Sequence, residues 1–335
     1  MTKPRVLLTA TLLSALIGTG AAAGAVAHGA AARVRTRPAS LMLDFTPNAI
    51  HTGIYAALAR HLDAANGLAL HVRIPGASTD AISLLSAGRV DFAILDIHDL
   101  AIADARGQHL VGIMALEQRP LAAVIAQPRF TSPRQLDGRT IGVTGAPSDL
   151  AVLRSIVAGA GGRPQTLRTL TIGYDAVPDL LSGRVAAATA FWNDEGVQLT
   201  HLGPGHRPFR VFRVDQFGAP SYPELVLCAT ARELRRAPGL ARRVVRTLVE
   251  GYRFVLHHPL QGEHDLESEV SGLSPHAVAL QLAAELPAFL PRHGGAYGSL
   301  SPTVLAAWAR WERRFGIVRR TPDVAAMFNR SFLPG

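Results

Sequence analysis

Two stretches of this chain echo one another, and the echo limits what it can fold into. "DAISLLSAGRVDFAILD" (80–96) and "DAVPDLLSGRVAAATAFW" (175–192) share Asp-Ala, then Leu-Leu-Ser, Gly-Arg-Val and an apolar run. Each reads as a helix that stops at a glycine (Gly88, Gly183), a tight turn and a buried strand. Such units share their punctuation, so chance likeness is one account. The other is two α/β domains built alike, each sending the end of its strand into one crevice. In open α/β sheets ligands bind outside the carboxyl ends of the strands. The residues there would be Asp44 and Phe45, Asp96 to Asp99, and Trp192 to Glu195. They mix aromatic, carboxylate and amide groups where apolar runs stop, as a site for a small polar ring requires.

The rest of the pattern agrees. Residues 41–45 read as a strand stopped by Pro47, and Asn48 can cap a helix whose apolar stripe is Ile50, Ile54, Leu58 and Leu62, with Gly67 beyond its end. Strands are expected at 70–74, 92–95, 110–116, 121–126, 140–143 and 167–172, and helices at 79–87 and 148–158. Alternation of this kind argues for parallel sheets covered by helices. After Cys228 the pattern turns helical, at 239–257, 275–289 and 302–315. A chain of 335 residues is long enough for two domains with separate cores.

The net charge of +9 does not imply a nucleic-acid partner. Lys3 is the only lysine, and the arginines are spread along the chain as on a solvated basic surface. The single cysteine, Cys228, can form neither an internal disulfide nor a cysteine-based zinc site. At the N-terminus, Lys3 and Arg5 precede an uncharged run at 6–27 that ends in Ala25-Val26-Ala27, of small-x-small form. A secretory signal is expected there, with an Arg/Pro linker at 33–38 after it. The run is long enough to stay in the bilayer as an anchor if uncleaved, and no cysteine nearby could carry a lipid. The expected workplace is outside the cytoplasmic membrane.

Several side-chain groups could carry chemistry. His51 and Tyr55 lie one helical turn apart on the same side, either as ligand residues or as a helix-start His beside a half-buried Tyr. Asp96-x-His98-Asp99, with His51 nearby, mixes groups that suit zinc or manganese, yet nothing fixes a full ligand set. A hydrogen-bonding wall without metal is the expectation. In "GVTGAPSDLAVLRSIV" (142–157), Gly145, Pro147 and Ser148 precede a helix with Asp149 in its first turn. Free backbone N–H groups there suit an anion or polar ligand group, and Ser148 as an ordinary N-cap fits equally well. Trp308 and Trp311, with Phe315 beyond, read as core. There is no G-x-S-x-G, Walker loop or H-E-x-x-H, and "GAGG" (159–162) reads as a helix end, so no cofactor is implied.

"LDFTPNAIHTGIYAA" resembles the opening motif of the NMT1/THI5-like family, Leu-Asp-Trp-x-Pro-Asn-x-x-His-x-Gly. The likeness continues through "LLSAGRVDFAILD", "PRQLDGRTIGVTG", "ATAFWNDEG", "YPELVLCAT", "GYRFVLHHP" and "WARWERRFGIV", which span nearly all of the chain after the signal. Family members of this kind are solute-binding proteins of ABC importers, with the two-lobed type II periplasmic fold. The better-known ones resemble binders of thiamine pyrimidine precursors, and some relatives bind riboflavin or small sulfonates. The resemblance implies an α/β protein with two lobes, each a mainly parallel sheet flanked by helices, and a ligand cleft between them. The chain would cross near Gln127 and return near Pro220, so residues 1–39 are signal and linker, 40–126 and 219–335 one lobe, and 127–218 the other.

It also implies ligand contacts at Asp44, Phe45, Asn48, His51 and Asp96, in the loop from Gly145 to Ser148, and at Trp192, Asn193 and Glu195. Tyr55 and His98 join this wall on the reading above, and Tyr222 and Glu224 become hinge or ligand residues. Phe45 and Trp192 would grip a ring from opposite lobes, with Asp44, Asp96 and Glu195 as acceptors. Partners would be a small solute and a permease with its cytoplasmic ATPase, and the protein would be a monomer. Phe45 stands where the pyrimidine binders usually carry Trp, which shrinks the stacking face. The enzyme branch of the family has a cysteine-rich run that Cys228 alone cannot supply. The rival readings are a secreted enzyme and a binding domain that feeds a signalling receptor.

Overall fold

The computed structural model describes residues 36–200, 207–292 and 294–334. The expected secretory signal and its cleavage site lie outside the described residues. Two five-stranded sheets frame the molecule. One contains β1 (Arg37–Met42), β2 (Leu68–Arg73), β3 (Phe92–Asp96), β4 (Leu110–Ala115) and β10 (Leu225–Thr230), in the order β2-β1-β3-β10-β4. The other contains β5 (Ala122–Ala126), β6 (Thr140–Val143), β7 (Arg168–Thr171), β8 (Ala187–Phe191) and β9 (Arg210–Arg213), in the order β7-β6-β8-β5-β9.

The helices in the first half of the chain are α1 (Thr52–Ala59), α2 (Leu62–Ala65), α3 (Asp80–Ser86), α4 (Ile97–Ala105), α5 (Asp149–Gly159) and α6 (Ala176–Leu181). Then come α7 (Glu195–Leu199), α8 (Ala231–Arg236), α9 (Pro238–His257), α10 (Pro259–Glu269), α11 (Pro275–Glu285), α12 (Pro302–Arg314) and α13 (Val324–Met327).

The two strand orders match place for place. β3 and β8, the strands of the echoed segments, each stand third, preceded in sequence by α3 and α6. Gly88 and Gly183 make the same turn between helix and strand, at φ +66° and +75°, where a side chain would be strained. The echo therefore reflects one αβ unit used in the same position of both sheets.

Both sheets are mainly parallel, with one strand reversed in each. β1 is parallel to β2 and β3, and β6 is parallel to β7 and β8. β10 runs against β3 and β4, and β5 against β8 and β9. The crossings explain this. A chain that leaves one sheet at the carboxyl ends of its strands enters the other at the corresponding edge, and must then run away from it. β5 follows β4, and β10 follows β9, by such crossings. Hydrogen bonding places β5 in the second sheet, so the outward crossing lies at residues 116–121, ahead of the expected Gln127.

Two elements differ from the sequence expectation. β1 begins at Arg37, inside the expected linker, and ends before 43–45. β3 pairs only with Leu41 and Met42, so Pro38 sits where β2 alone flanks the strand and its missing N–H is tolerated. The helix expected after Asn48 is a 3-10 turn, α1 and then α2, broken at His61 with φ 55°.

Most of the later helices pack around the first sheet. α9 buries Leu240, Val244, Leu248, Tyr252 and Val255 along one face and exposes Arg242, Arg246 and Arg253 on the other. Trp308 of α12 is fully buried with its ring edge-on to Phe328, which bears out its reading as core. Among the described residues, no helix is long and apolar enough to cross a membrane.

Candidate functional site

A cavity of ≈ 120 Å³ lies where the carboxyl ends of β1 and β3 face those of β6, β7 and β8. That volume has space for several water-sized groups, on the order of ten. Asp44 and Phe45 line it just beyond β1, Asp96 at the end of β3, Tyr174 beyond β7, and Phe191 and Glu195 at and beyond the end of β8. Its small walls are Ala81, Ala122, Ala123, Ala146 and Ala190.

Asn48 and His51 each serve two purposes. The Asn48 side chain accepts the Ile50 amide at 2.9 Å, capping the turn, and its Nδ2 donates to Asp194 Oδ2 at 2.7 Å on the other side of the cavity. His51 Nδ1 accepts the backbone N–H of Asn48 at 3.2 Å, which leaves the proton on Nε2, 3.1 Å from Asp44 Oδ1. His51 itself is fully buried, and the group it presents to the cavity is the Asp44 carboxylate. Tyr55 does not share that orientation. It is packed in the helical core, where burial and the nearby Glu269 push its phenol up to about 12. A 3-10 turn separates Asn48 from α1, so the single-helix spacing that put His51 and Tyr55 on one face does not apply.

The aromatic pair at the cavity is Phe45 with Tyr174, edge to face with centroids 4.4 Å apart. The Tyr174 hydroxyl also reaches the Asp44 carbonyl at 3.4 Å. Trp192, expected as the opposing face, is turned away. Its Nε1 donates to the Pro120 carbonyl of the crossing segment at 3.0 Å, and the guanidinium of Arg213, at the end of β9, lies 4.1 Å above its ring. Trp192 lies one residue beyond β8, where these contacts rather than the cavity set its direction.

Carboxyl groups dominate the polar lining. Asp44, Asp96, Asp99, Asp149, Asp194 and Glu195 all border the cavity. Burial, then the neighbouring Asp194, pushes the Glu195 carboxyl up to about 8. Burial and Asp96 do the same for Asp99, also to about 8. Burial outweighs the stabilising His98 and takes Asp96 to about 8 as well. Asp149 and Asp194 are raised by burial, although each accepts several hydrogen bonds.

The loop before α5 does not offer the free N–H groups that the sequence suggested. Gly145 N and Ala146 N donate to Asp149 Oδ2 at 2.7 and 3.0 Å, and Ser148 N donates to Asp99 Oδ1 at 2.9 Å. The protein's own carboxylates occupy the place of an anion. Ser148 lines the cavity without capping α5 through its side chain, and Gly145 lies just outside the lining, at φ +98°.

Behind Asp96 lies a buried cluster outside the lining. His98 bonds Glu312 through Nδ1, and its Nε2 is 3.0 Å from the Tyr222 hydroxyl. Burial works against the charged ring, yet Glu312, Asp96 and Glu224 together hold its pKa up to about 10. One ligand atom each from Asp96, His98 and Glu224 lies within 4.8 Å of the others, but both His98 nitrogens are engaged within the protein. Tyr222 stacks against Trp311, with centroids 5.9 Å apart. Glu224 accepts the backbone amides of Leu121 and Ala122, so the returning crossing is clasped to the outgoing one. Asn193 also points inward, to Glu285, and does not line the cavity.

Asp44, Phe45, Asp96, Ser148 and Glu195 of the expected residues thus meet at the cavity. Asn48 and His51 support them from behind, and Tyr55, His98, Gly145, Trp192, Asn193, Tyr222 and Glu224 lie off its wall. Sequence reasoning missed Tyr174, although Gly173 after the β7 run marks a turn at a strand's carboxyl end, as Pro47 does after β1. It also missed Gln281, which bonds Asp194 from α11, because nothing in a late helix announces contact with the opposite sheet.

The NMT1/THI5-like family model matches residues 48–261. A formylaminopyrimidine-binding protein of Halalkalibacterium halodurans is 28% identical over 65% of this chain and 66% of its own length. The riboflavin-binding protein RibY of Chloroflexus aurantiacus is 25% identical over 100% of this chain and 99% of its own. A 4-amino-5-hydroxymethyl-2-methylpyrimidine phosphate synthase of Legionella pneumophila is 23% identical over 49% of this chain and 52% of its own. The match to the first therefore spans just under two thirds of that relative, and the match to the synthase about half. Among solved structures, the alkanesulfonate-binding protein SsuA of Xanthomonas axonopodis bound to MOPS has a TM-score of 0.69 at 17% identity, covering 88% of this chain and 98% of its own. That likeness shows a shared periplasmic-binding-protein fold.

Proposed function

The chain belongs to the NMT1/THI5-like family, and from that premise we propose that it is the substrate-binding component of an ABC importer, capturing a small pyrimidine-like solute. The observation that carries this reading is the cavity itself. It sits at the strand ends of both sheets, with an aromatic pair at one edge and hydrogen-bond acceptors around it. Contacts already join its two sides, among them Asn48 to Asp194, Ser78 to Thr144, Ser148 to Asp99 and Tyr174 to Asp44. A solute that bonds to both sides would add to them, which is how a two-lobed binder couples capture to closure.

In this reading one lobe carries β1 to β4 and β10 with the helices that follow, and the other carries β5 to β9. Glu224, clasping the two crossings together, is the hinge contact. The solute is a single ring, because a volume of ≈ 120 Å³ is small for a three-ring flavin. A sulfonate is disfavoured by a lining with six carboxyl groups and no Arg, Lys or His. The protein works as a monomer outside the cytoplasmic membrane and hands its solute to a permease driven by a cytoplasmic ATPase. A binding role rather than a synthase role is supported by Cys228, the single cysteine, which is buried in β10 away from the cavity.

Incubation with 4-amino-5-hydroxymethyl-2-methylpyrimidine, followed by removal of free ligand and mass spectrometry, tests the reading. One equivalent retained and released unchanged is expected. Conversion of the ring to a new mass would instead make the protein an enzyme.

A further inference from the structure

We propose that the helical end of the first sheet is a docking surface for an anionic phospholipid bilayer, with exposed arginines meeting the headgroups around an apolar groove. The inference is independent of the solute, because the groove and the cavity lie at opposite ends of β10. Leu225 opens that strand at the cavity, and Thr230 ends it next to Ala231 of the groove. Five steps of strand separate them, about 17 Å.

The groove has a volume of ≈ 850 Å³ and apolar walls of Val111, Leu234, Leu300, Leu305, Phe328 and Phe332. Arg235 and Arg330 are the charged residues of its lining, and the Arg242 guanidinium lies 5.5 Å from the centre of the Phe332 ring. All three arginines are exposed, and among the described residues none of them has an ion pair, whereas Arg236 is held by Glu233. Exposed arginines occur along the whole chain, but their excess over acids does not. Residues 230–257 and 302–334, which contain α8, α9, α12, α13 and the 3-10 turn Arg330–Phe332, carry thirteen arginines, all exposed. Four acids stand against them, and of these only Asp323 is exposed. Glu233 and Glu250 are partly covered and bonded to Arg236 and Asn66, and Glu312 is buried against His98. The excess in these two stretches equals the formal charge of the whole chain, +9.

Two observations say what covers this face. One is its chemistry. Unpaired guanidinium groups around hydrocarbon walls, with no carboxylate in the lining, complement an anionic amphiphile: phosphate against arginine, acyl chain against the groove. The other is where the rest of the chain joins. β1, β3 and β4 run the same way, so Arg37 opens β1 at the end of the sheet where Leu110 opens β4 beside the groove. The uncharged run at 6–27 lies nine residues ahead of Arg37, a span of at most about 35 Å. A run held in a bilayer would tether the chain at this end of the sheet rather than at the cavity. An acidic protein partner would answer the charge, but neither the hydrocarbon walls nor the point of entry.

Flotation of the full chain with vesicles of phosphatidylglycerol and of phosphatidylcholine is the test. The wild type is expected to partition onto the anionic vesicles about tenfold or more strongly than onto the neutral ones. In about 1 M salt, where screening acts over about 3 Å, most of that preference should vanish. The triple variant Arg235→Glu, Arg242→Glu, Arg330→Glu should lose the preference. The triple variant Arg134→Glu, Arg168→Glu, Arg210→Glu makes the same change of charge at exposed arginines around the second sheet, and should keep it. The run at 6–27 is common to all three proteins and contributes equally to each. If circular dichroism shows the groove variant unfolded, glutamine at the same three positions replaces it. Equal binding of the wild type to both vesicles, preference retained by the groove variant, or the same loss in both variants would overturn the docking surface. Tighter binding of polyglutamate than of anionic vesicles would overturn it in favour of an acidic protein. None of these outcomes bears on the pyrimidine reading.

Discussion

The Asn48 amide donates to the Asp194 carboxylate at 2.7 Å, joining the turn after β1 to the turn after β8. The same side chain caps the 3-10 turn through Ile50 N. The two duties can be separated by substitution. Asn48→Ala removes both and is expected to cost about 1 kcal/mol of stability for the cap alone. Asn48→Ser keeps a capping oxygen but cannot reach Asp194, so it should restore most of that stability. Both variants should bind solute more weakly than wild type. Equal affinity of Asn48→Ser and wild type in calorimetry would show that the cross-cavity bond does not contribute to capture.

Tyr174 stands at the cavity in the role that the sequence suggests for Trp192. Base-on-aromatic contact is worth about 1–3 kcal/mol by alanine substitution, so Tyr174→Ala should weaken binding by about tenfold or more. Trp192→Ala should change affinity by less than about threefold, because its ring is held by Pro120 of the crossing segment and Arg213 of β9. The opposite ranking in parallel titrations would put the solute on the crossing side of β8.

The fold was legible in the sequence because helix and strand periods and turn glycines are local signals. Gly88 and Gly183 mark the same turn in both sheets, and the echo that contains them predicts matching strand positions. The residues at strand ends were legible for the same reason: Asp44, Phe45, Asp96 and Glu195 all border the cavity. What each side chain faces was less so. Trp192 lies one residue beyond β8, and its direction is set by the Pro120 carbonyl and the Arg213 guanidinium, contacts from other elements. His98 reads as a ligand residue beside Asp96, but its partner Glu312 comes from α12, more than two hundred residues away. Buried ion pairs of that kind depend on packing between distant elements and leave no local pattern.

Stability should fall as pH rises through neutrality. Burial pushes the carboxyls of Asp96, Asp99 and Glu195 up to about 8, from ordinary values of 3.8 for Asp and 4.5 for Glu. Between those limits the folded protein binds more protons than the unfolded chain, so their contribution is fullest at low pH and is lost as pH rises through about 8. His98, raised from 6.5 to about 10, acts in the same sense: its contribution is full below 6.5 and is lost as pH rises through about 10. The melting temperature of the ligand-free protein should therefore decline between about pH 6 and pH 9. A profile that is flat or rising over that range would contradict the buried acid cage.

Trp308→Ala should separate folding from binding. Its ring is fully buried against Phe328, outside the cavity lining, and removal of such a side chain costs about 3–5 kcal/mol. Denaturant melts should show that loss, and the folded fraction should titrate with affinity within about threefold of wild type. A folded Trp308→Ala protein that no longer binds would place the site against α12.

Isothermal titration of the wild-type protein with 4-amino-5-hydroxymethyl-2-methylpyrimidine tests the central claim most directly, because it asks whether this cavity holds a pyrimidine at all. The account predicts a saturable curve with one solute per chain, and loss of most of the heat in Tyr174→Ala. A folded wild-type protein that gives no heat with this or any other aminopyrimidine, while a compound of another class saturates the same cavity, would contradict it.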